Sequence, residues 1–164
     1  MVLGTLATGI AAAPVRDSAT IVNSGSTNFS GYTIQVWSDG SASVVTSNRG
    51  TVTAATPKPF TLEGSVAKQF FADLAAAKSK GASIEPCMKS ASFGTTTRLT
   101  WHDWTSPDLS CPPGNASAAA LVHDVQVITA ASGVSASLRH SFGPEMRRPP
   151  GLSPNTPEPS PTAS

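Results

Sequence analysis

The sequence predicts a single small α+β domain: an antiparallel sheet of two β-hairpins, backed by two helices. Three observations carry this expectation. "YTIQVWSDGSASV" alternates apolar and polar residues on both sides of an Asp-Gly pair. "SVAKQFFADLAAAKSKG" and the stretch from Ser117 to about Ala131 place apolar residues three and four apart. Between these helices, Cys87 and Cys111 bracket a second alternating run that folds back on itself. The expected order is strand–strand–helix–strand–strand–helix, within residues 19–142.

The first hairpin follows from period two. Tyr32, Ile34 and Val36 share one face and Thr33, Gln35 and Trp37 the other, as in a half-buried strand. Asp39-Gly40 supplies the turn, because glycine accepts positive φ without steric cost, and Ala42 and Val44 continue the alternation on the way back. Trp37 falls on the face away from Tyr32 and is a candidate exposed binding residue. The segment from Asn48 to Leu62 is rich in Thr and Pro, with a short strand expected around Thr51–Ala54 and ended by Pro57 and Pro59.

The first helix is expected to start at a Ser65 cap and to stop at Gly81. Val66, Phe70, Leu74 and Ala77 form its apolar stripe, with Ala67 and Phe71 beside it, while Lys68, Asp73 and Lys78 face water. From Phe93 to Trp101 the residues alternate again, so this run reads as a strand. His102-Asp103 occupies the turn and Trp104 to Ser106 returns until Pro107, which cannot donate to a ladder. In the second helix Leu121, Val125 and Ile128 make the buried stripe, with Val122 adjacent. "GVSASLRHSF" reads as a last edge strand or coil.

Both ends read as dispensable. Residues 1–18 begin with an apolar run and Ala11-Ala12-Ala13, the pattern of a clipped export signal or an unstructured N-terminus. Residues 143–164 hold seven of the chain's 14 prolines among Ser and Thr and can bury almost nothing, so an extended, disordered tail is expected. The apolar N-terminal stretch falls short of the roughly 20 residues that a membrane-spanning helix needs.

Charge excludes some functions. Only 13% of the 164 residues are charged and the net charge is +1, with the arginines and lysines dispersed. Nucleic-acid binding depends on clustered cations that release counterions, so no nucleic-acid partner is expected. A Ser-, Thr-, Gly- and Ala-rich surface and an even pair of cysteines instead fit an exported, monomeric protein. Cys87 and Cys111 should form a disulfide, closing a loop of about 25 residues worth roughly 3 kcal/mol.

Candidates for chemistry concentrate around that loop. His102 and Asp103, with Asp108, are the catalytic candidates, and Trp37, Arg98, Trp101 and Trp104 the binding candidates. A hydrolase site near Trp101, His102 and Asp103 is one reading. Against it, neighbouring side chains on a strand point to opposite faces, and the sequence has no G-x-S-x-G elbow. His123-Asp124 repeats the dipeptide within a helix, where a partly exposed polar residue is ordinary. Carboxylate pairs would have to come from Asp39, Glu63, Asp73, Glu85, Asp103, Asp108 and Asp124, which fall on turns or helix surfaces. Two cysteines without a C-x-x-C or a nearby histidine pair make no metal site, and the absence of G-x-G-x-x-G or a phosphate loop points to no cofactor. The sequons at Asn28 and Asn115 are compatible with chance in a Ser/Thr-rich chain.

"SGYTIQVWSDGSASV", "FFADLAAAK", "CMKSASFGTTTRLTW" and "SPDLSCP" resemble a family of small, uncharacterised exported bacterial proteins, over about Ile21 to Ile128. The resemblance implies the fold and export and carries no statement about activity. Trp101-His102-Asp103-Trp104 departs from the Asn-Gly-like turn of similar sequences, which speaks against a shared catalytic histidine. The stretch from Glu85 to Pro113 then reads as a staple, with Asp108 accepting backbone N–H bonds in "PDLS". The expected function is a small, exported, non-catalytic binding or interaction module whose partner is another protein or an envelope component. The alternatives are the small hydrolase and a protease-inhibitor-like module with an exposed clamped loop.

Overall fold

A computed structural model describes residues 16–47, 55–90, 92 and 94–134. Expectations for residues 1–15, for the strand around Thr51–Ala54, for Phe93 and for the chain after residue 134 lie outside the described residues.

The α+β class holds. One six-stranded antiparallel sheet carries both helices on a single face. In chain order the elements are β1 (Ser18–Asn23), β2 (Gly31–Trp37), β3 (Ser41–Ser47), β4 (Lys58–Thr61), α1 (Gly64–Lys80), β5 (Thr97–Trp101), β6 (Trp104–Thr105) and α2 (Ala116–Ala131). Across the sheet the order is β4-β3-β2-β1-β5-β6. The expected ββαββα order therefore gains two strands, β1 at the sheet centre and β4 at one edge.

Cross-strand rows explain which face is covered. Leu99, Ile21, Ile34 and Val44 lie opposite one another on β5, β1, β2 and β3, and all are buried. The neighbouring row, Trp101, Ala19, Val36, Ala42 and Phe60, shares their face. Phe70 and Leu74 of α1 and Leu121 and Ile128 of α2 close the core over these rows. The opposite face is a band of Arg98, Val22, Thr33 and Val45 beside Thr100, Thr20, Gln35 and Ser43. Trp37 lies on that second face, half-buried, as its alternation with Tyr32 requires.

The β2–β3 loop is a three-residue connection. Gly40 N–H donates to Trp37 C=O at 2.9 Å with φ 86°, and a β-carbon on Gly40 would sit 3.0 Å from Leu62 C=O. Positive φ and close approach together demand glycine here. Asp39 Oδ1 accepts from Ser41 N–H at 2.9 Å, which ties the turn to the start of β3.

β4 corrects the reading of Pro59 as a strand breaker. Leu62 N–H donates inward to Gly40 C=O at 2.9 Å; by alternation Phe60 also faces β3, and Pro59 faces the open edge. There its missing N–H removes nothing from the ladder. The cap of α1 is also different. Glu63 is the N-cap residue, with no side-chain cap bond, so Ser65 already lies inside the helix. Ala67 replaces Val66 in the fully buried stripe with Phe70, Leu74 and Ala77, and Gly81 ends the helix at φ 81°. At α2, Asn115 is the cap: its side chain accepts from Ala118 N–H at 2.9 Å and donates to Gly81 C=O at 3.2 Å. Its amide thus joins the end of α1 to the start of α2.

β1 gives a direct test of register, because a one-residue slip exchanges the two faces of a strand. Ile21 is fully buried and adjacent Val22 is 42% exposed on the other face. Ile21→Ala should cost about 2–5 kcal/mol by urea unfolding, whereas Val22→Ala should stay within about 0.5 kcal/mol. Equal costs would contradict the register.

Candidate functional site

Most residues singled out in the sequence fall into two structural arrangements, Trp37 and Arg98 stand on the uncovered face of the sheet, and a third arrangement lies between the helices. The first is the β5–β6 turn. His102 takes φ 53°, the one positive φ at a non-glycine among the described residues. This turns its ring back over Trp101, with ring centroids 4.4 Å apart. Its Nε2 lies 2.9 Å from Asp17 Oδ1, and the same carboxylate accepts from Trp101 Nε1 at 3.0 and 3.1 Å. Asp103 points elsewhere, to Lys78 of α1, and the hydrogen bond from Lys78 holds its carboxyl below the usual range. Lys78 also lies 5.8 Å above the Trp101 ring, and Phe71 meets that ring edge-on. The sequential pair His102-Asp103 is therefore split, and the partner of His102 is an aspartate 85 positions away. Trp104 pairs with Trp101 across the turn and packs half-buried against the core.

The second arrangement is the staple. Cys87 and Cys111 are disulfide-bonded with their Cα atoms 5.6 Å apart. Beside them, β6 gives β5 only two paired residues, and Pro107 cannot extend the ladder. Beyond it, two backbone bonds, Ser106 N–H to Leu99 C=O and Leu109 N–H to Thr97 C=O at 2.8 Å each, are joined by side-chain bonds. Leu99 N–H donates to Ser106 Oγ at 3.0 Å, and Thr97 N–H to Asp108 Oδ1 at 3.0 Å. Asp108 also accepts from Ser110 N–H at 3.1 Å, from Ser110 Oγ at 2.6 Å, and from Lys89 Nζ. Partial burial alone would push the Asp108 carboxyl up, but the bonds from Lys89, Ser110 and Thr97 hold it well below the usual carboxylate range. Such a carboxylate is fully engaged in joining β5 to the loop. Arg98 stands exposed on the uncovered face of the sheet with Val22 and Thr33, away from this cluster.

The third arrangement contains the His123-Asp124 dipeptide, and it corrects the expectation that Asp124 is a solvated helix-surface charge. α1 and α2 pack side by side, and their facing stripes border an open groove of about 480 Å³. Val66, Gln69 and Asp73 come from α1; His123, Asp124 and Val127 come from α2. Asp124 is only 7% exposed, and its Oδ2 is buried with no hydrogen-bond partner, alone in this among the described side chains. Its Oδ1 is 3.8 Å from Nδ1 of His123, which is itself mostly exposed. Asp73 accepts from Gln69 Nε2 at 2.8 Å. Burial, reinforced by the charge of Asp73 and by the hydrogen bond a protonated Asp124 makes to Asp73, raises the Asp124 carboxyl to about 6.

A buried acid without a donor, facing a second carboxylate, is costly to fold and is the kind of group that concentrates at functional sites. The signal was present in the sequence. Asp124 stands three residues after Leu121 and four before Ile128, inside the buried stripe of α2, where a charge is out of place. Among the described residues no group of three His, Cys, Asp or Glu is placed to hold a metal ion. The groove therefore offers paired carboxylates with apolar walls, suited to proton exchange or to a hydrogen-bond donor.

The raised value fixes the sign of a stability test. A carboxyl with a folded pKa above its unfolded value of 3.8 stabilises fully at low pH, and that stabilisation is lost as pH rises through about 6. Asp124→Asn removes the burden at neutral pH. Allowing for screening by groove water, the variant should gain on the order of 1–2 kcal/mol at about pH 7.5 and nothing below about pH 4, by urea unfolding. A loss of stability at neutral pH would contradict the unpartnered state of Asp124.

No protein-family model matches the chain, and no curated protein matches it.

Proposed function

We propose that this chain is a small, non-catalytic binding module that acts in an oxidising compartment outside the cytosol, and that it takes its ligand in the groove between α1 and α2. The observation that carries the reading is the buried, unpartnered Oδ2 of Asp124. A carboxylate oxygen stripped of water without a replacement donor costs about 1–3 kcal/mol or more, and a ligand that donates to it recovers that cost. The disulfide supports the compartment, since such bonds persist where thiols are not kept reduced. No helix among the described residues is long and apolar enough to cross a membrane. Export and an envelope partner agree with the Ser/Thr-rich composition and with the resemblance to small exported proteins.

One observation favours a second reading. Asp124, raised to about 6 beside Asp73, has the protonation behaviour of a general acid paired with a base. In a hydrolase of this kind the groove, rather than His102, would hold the chemistry. The turn residues favour neither function. Asp17 holds His102 and Trp101 together, and Lys78 holds Asp103.

A fragment screen by protein-observed NMR separates the readings. Binding should perturb amides of Val66 to Asp73 and Ala120 to Val127, and those shifts should vanish in Asp124→Asn. Hits confined to the Trp101–Trp104 turn would overturn the groove assignment. Turnover of generic ester, peptide or glycoside substrates, abolished by Asp124→Asn, would replace the binding reading with the hydrolase.

A further inference from the structure

We infer that the groove recognises an alkylammonium group, a primary amine on a short apolar arm, whose nitrogen bridges Asp124 Oδ2 and the Asp73 carboxylate. The inference rests on the groove being the ligand site. It follows from what the groove lacks. Two carboxylates face one another, and the donors beside them are few: Gln69 Nε2 satisfies Asp73 at 2.8 Å, and His123 stands 3.8 Å from Asp124 Oδ1. Nothing donates to Asp124 Oδ2, although the residue is 93% removed from solvent by its 7% exposure. A ligand that fits must bring positive charge and N–H donors to that oxygen.

The geometry narrows the cation. A guanidinium fork uses both oxygens of one carboxylate, whereas the unmet demand here lies at Asp124 Oδ2 alone, with Oδ1 turned toward His123 Nδ1 at 3.8 Å, too long for a hydrogen bond. A compact ammonium with three divergent donors can serve one oxygen of Asp124 and one of Asp73. A bare divalent ion would need a third anionic or imidazole ligand, and no such group of three is placed for it among the described residues. Val66, Val127 and Ala120 wall the same groove, offering apolar surface to a chain of a few methylenes. The titratable groups lining the groove with Asp124 are Asp73 from α1 and His123 from its own helix. Protonation of Asp124 would remove half of the negative charge, so affinity should fall as the pH drops through about 6.

Such an amine could be a free small molecule or a lysine side chain of another protein, and the chemistry is the same for both. The test titrates the whole chain with n-butylamine, n-butanol, n-butyrate, a Gly-Lys-Gly peptide and its Nε-acetylated form, following the groove amides by NMR. The expected result is saturable binding of n-butylamine or of the lysine peptide, with n-butanol, n-butyrate and the acetylated peptide at least tenfold weaker. Tighter binding of the peptide assigns a protein lysine, and binding of n-butylamine alone assigns a free amine. Asp124→Asn, which should fold at least as well as the parent, should weaken binding tenfold or more. His123→Gln should keep both the binding and its loss at low pH. Groove binding by n-butanol as strong as by n-butylamine would overturn the ammonium assignment and leave the groove standing. Absence of any groove shift with n-butylamine and the lysine peptide at millimolar concentration would overturn it as well, while the fragment screen independently decides whether the groove binds anything.

Discussion

β1 is hydrogen-bonded on both sides, and the rest of the molecule depends on that double ladder. Its partner β2 follows immediately in the chain, while its other partner, β5, arrives only after β3, β4 and α1. Joining them sets Ile21 between Ile34 and Leu99 and welds the β2–β3–β4 meander to the β5–β6 hairpin. A sheet made in this way has one apolar face, and both helices must bury their stripes on it. Two helices side by side on one face bring Asp73 and Asp124 to a common groove. The ladder, several contacts removed from either acid, is what makes them neighbours.

Asp108 and Asp124 show how environment divides one side-chain chemistry. Asp108 replaces a missing strand: Thr97, Ser110 and Lys89 supply it with donors, and its negative charge is held firmly. Asp124 is the more buried of the two and has no donor at Oδ2. The first carboxylate contributes stability above the ordinary carboxylate range that is lost as pH falls. The second opposes folding as the pH rises through about 6. Lys89 and the disulfide make Asp108 part of the framework, and the same comparison leaves Asp124 as the acid with unmet demand.

Much of this architecture was legible in the residues. Period two located β2 and β3, the three-to-four spacing located α1 and α2, and the cysteine pair marked a crosslink around β5 and β6. β1 escaped because Ile21 and Val22 are adjacent apolar residues in a short Ser/Thr/Asn context, with no sustained alternation to count. β4 escaped because Pro59 reads as a breaker unless it lies at an edge, and edge position is a property of the whole sheet. The candidate sites were less legible for the same reason. Asp17 reaches His102 across 85 positions, and the proximity of Asp73 to Asp124 depends on helix packing that no local pattern encodes. Asp124 is visible in the sequence as half of a His-Asp dipeptide on a helix, and its place inside the apolar stripe, three after Leu121 and four before Ile128, is the signal of its burial.

Asp124 is buried in the groove it shares with Asp73 without a donor at Oδ2. Carbon-detected NMR titration of the aspartate side-chain carboxyls measures this directly. Asp124 should titrate near 6, and should move down toward the ordinary carboxylate value when Asp73 is replaced by Asn. A midpoint at or below the ordinary value of 3.8 in the native chain would mean that Asp124 is solvated or paired, and would rule out a buried, unpartnered carboxylate.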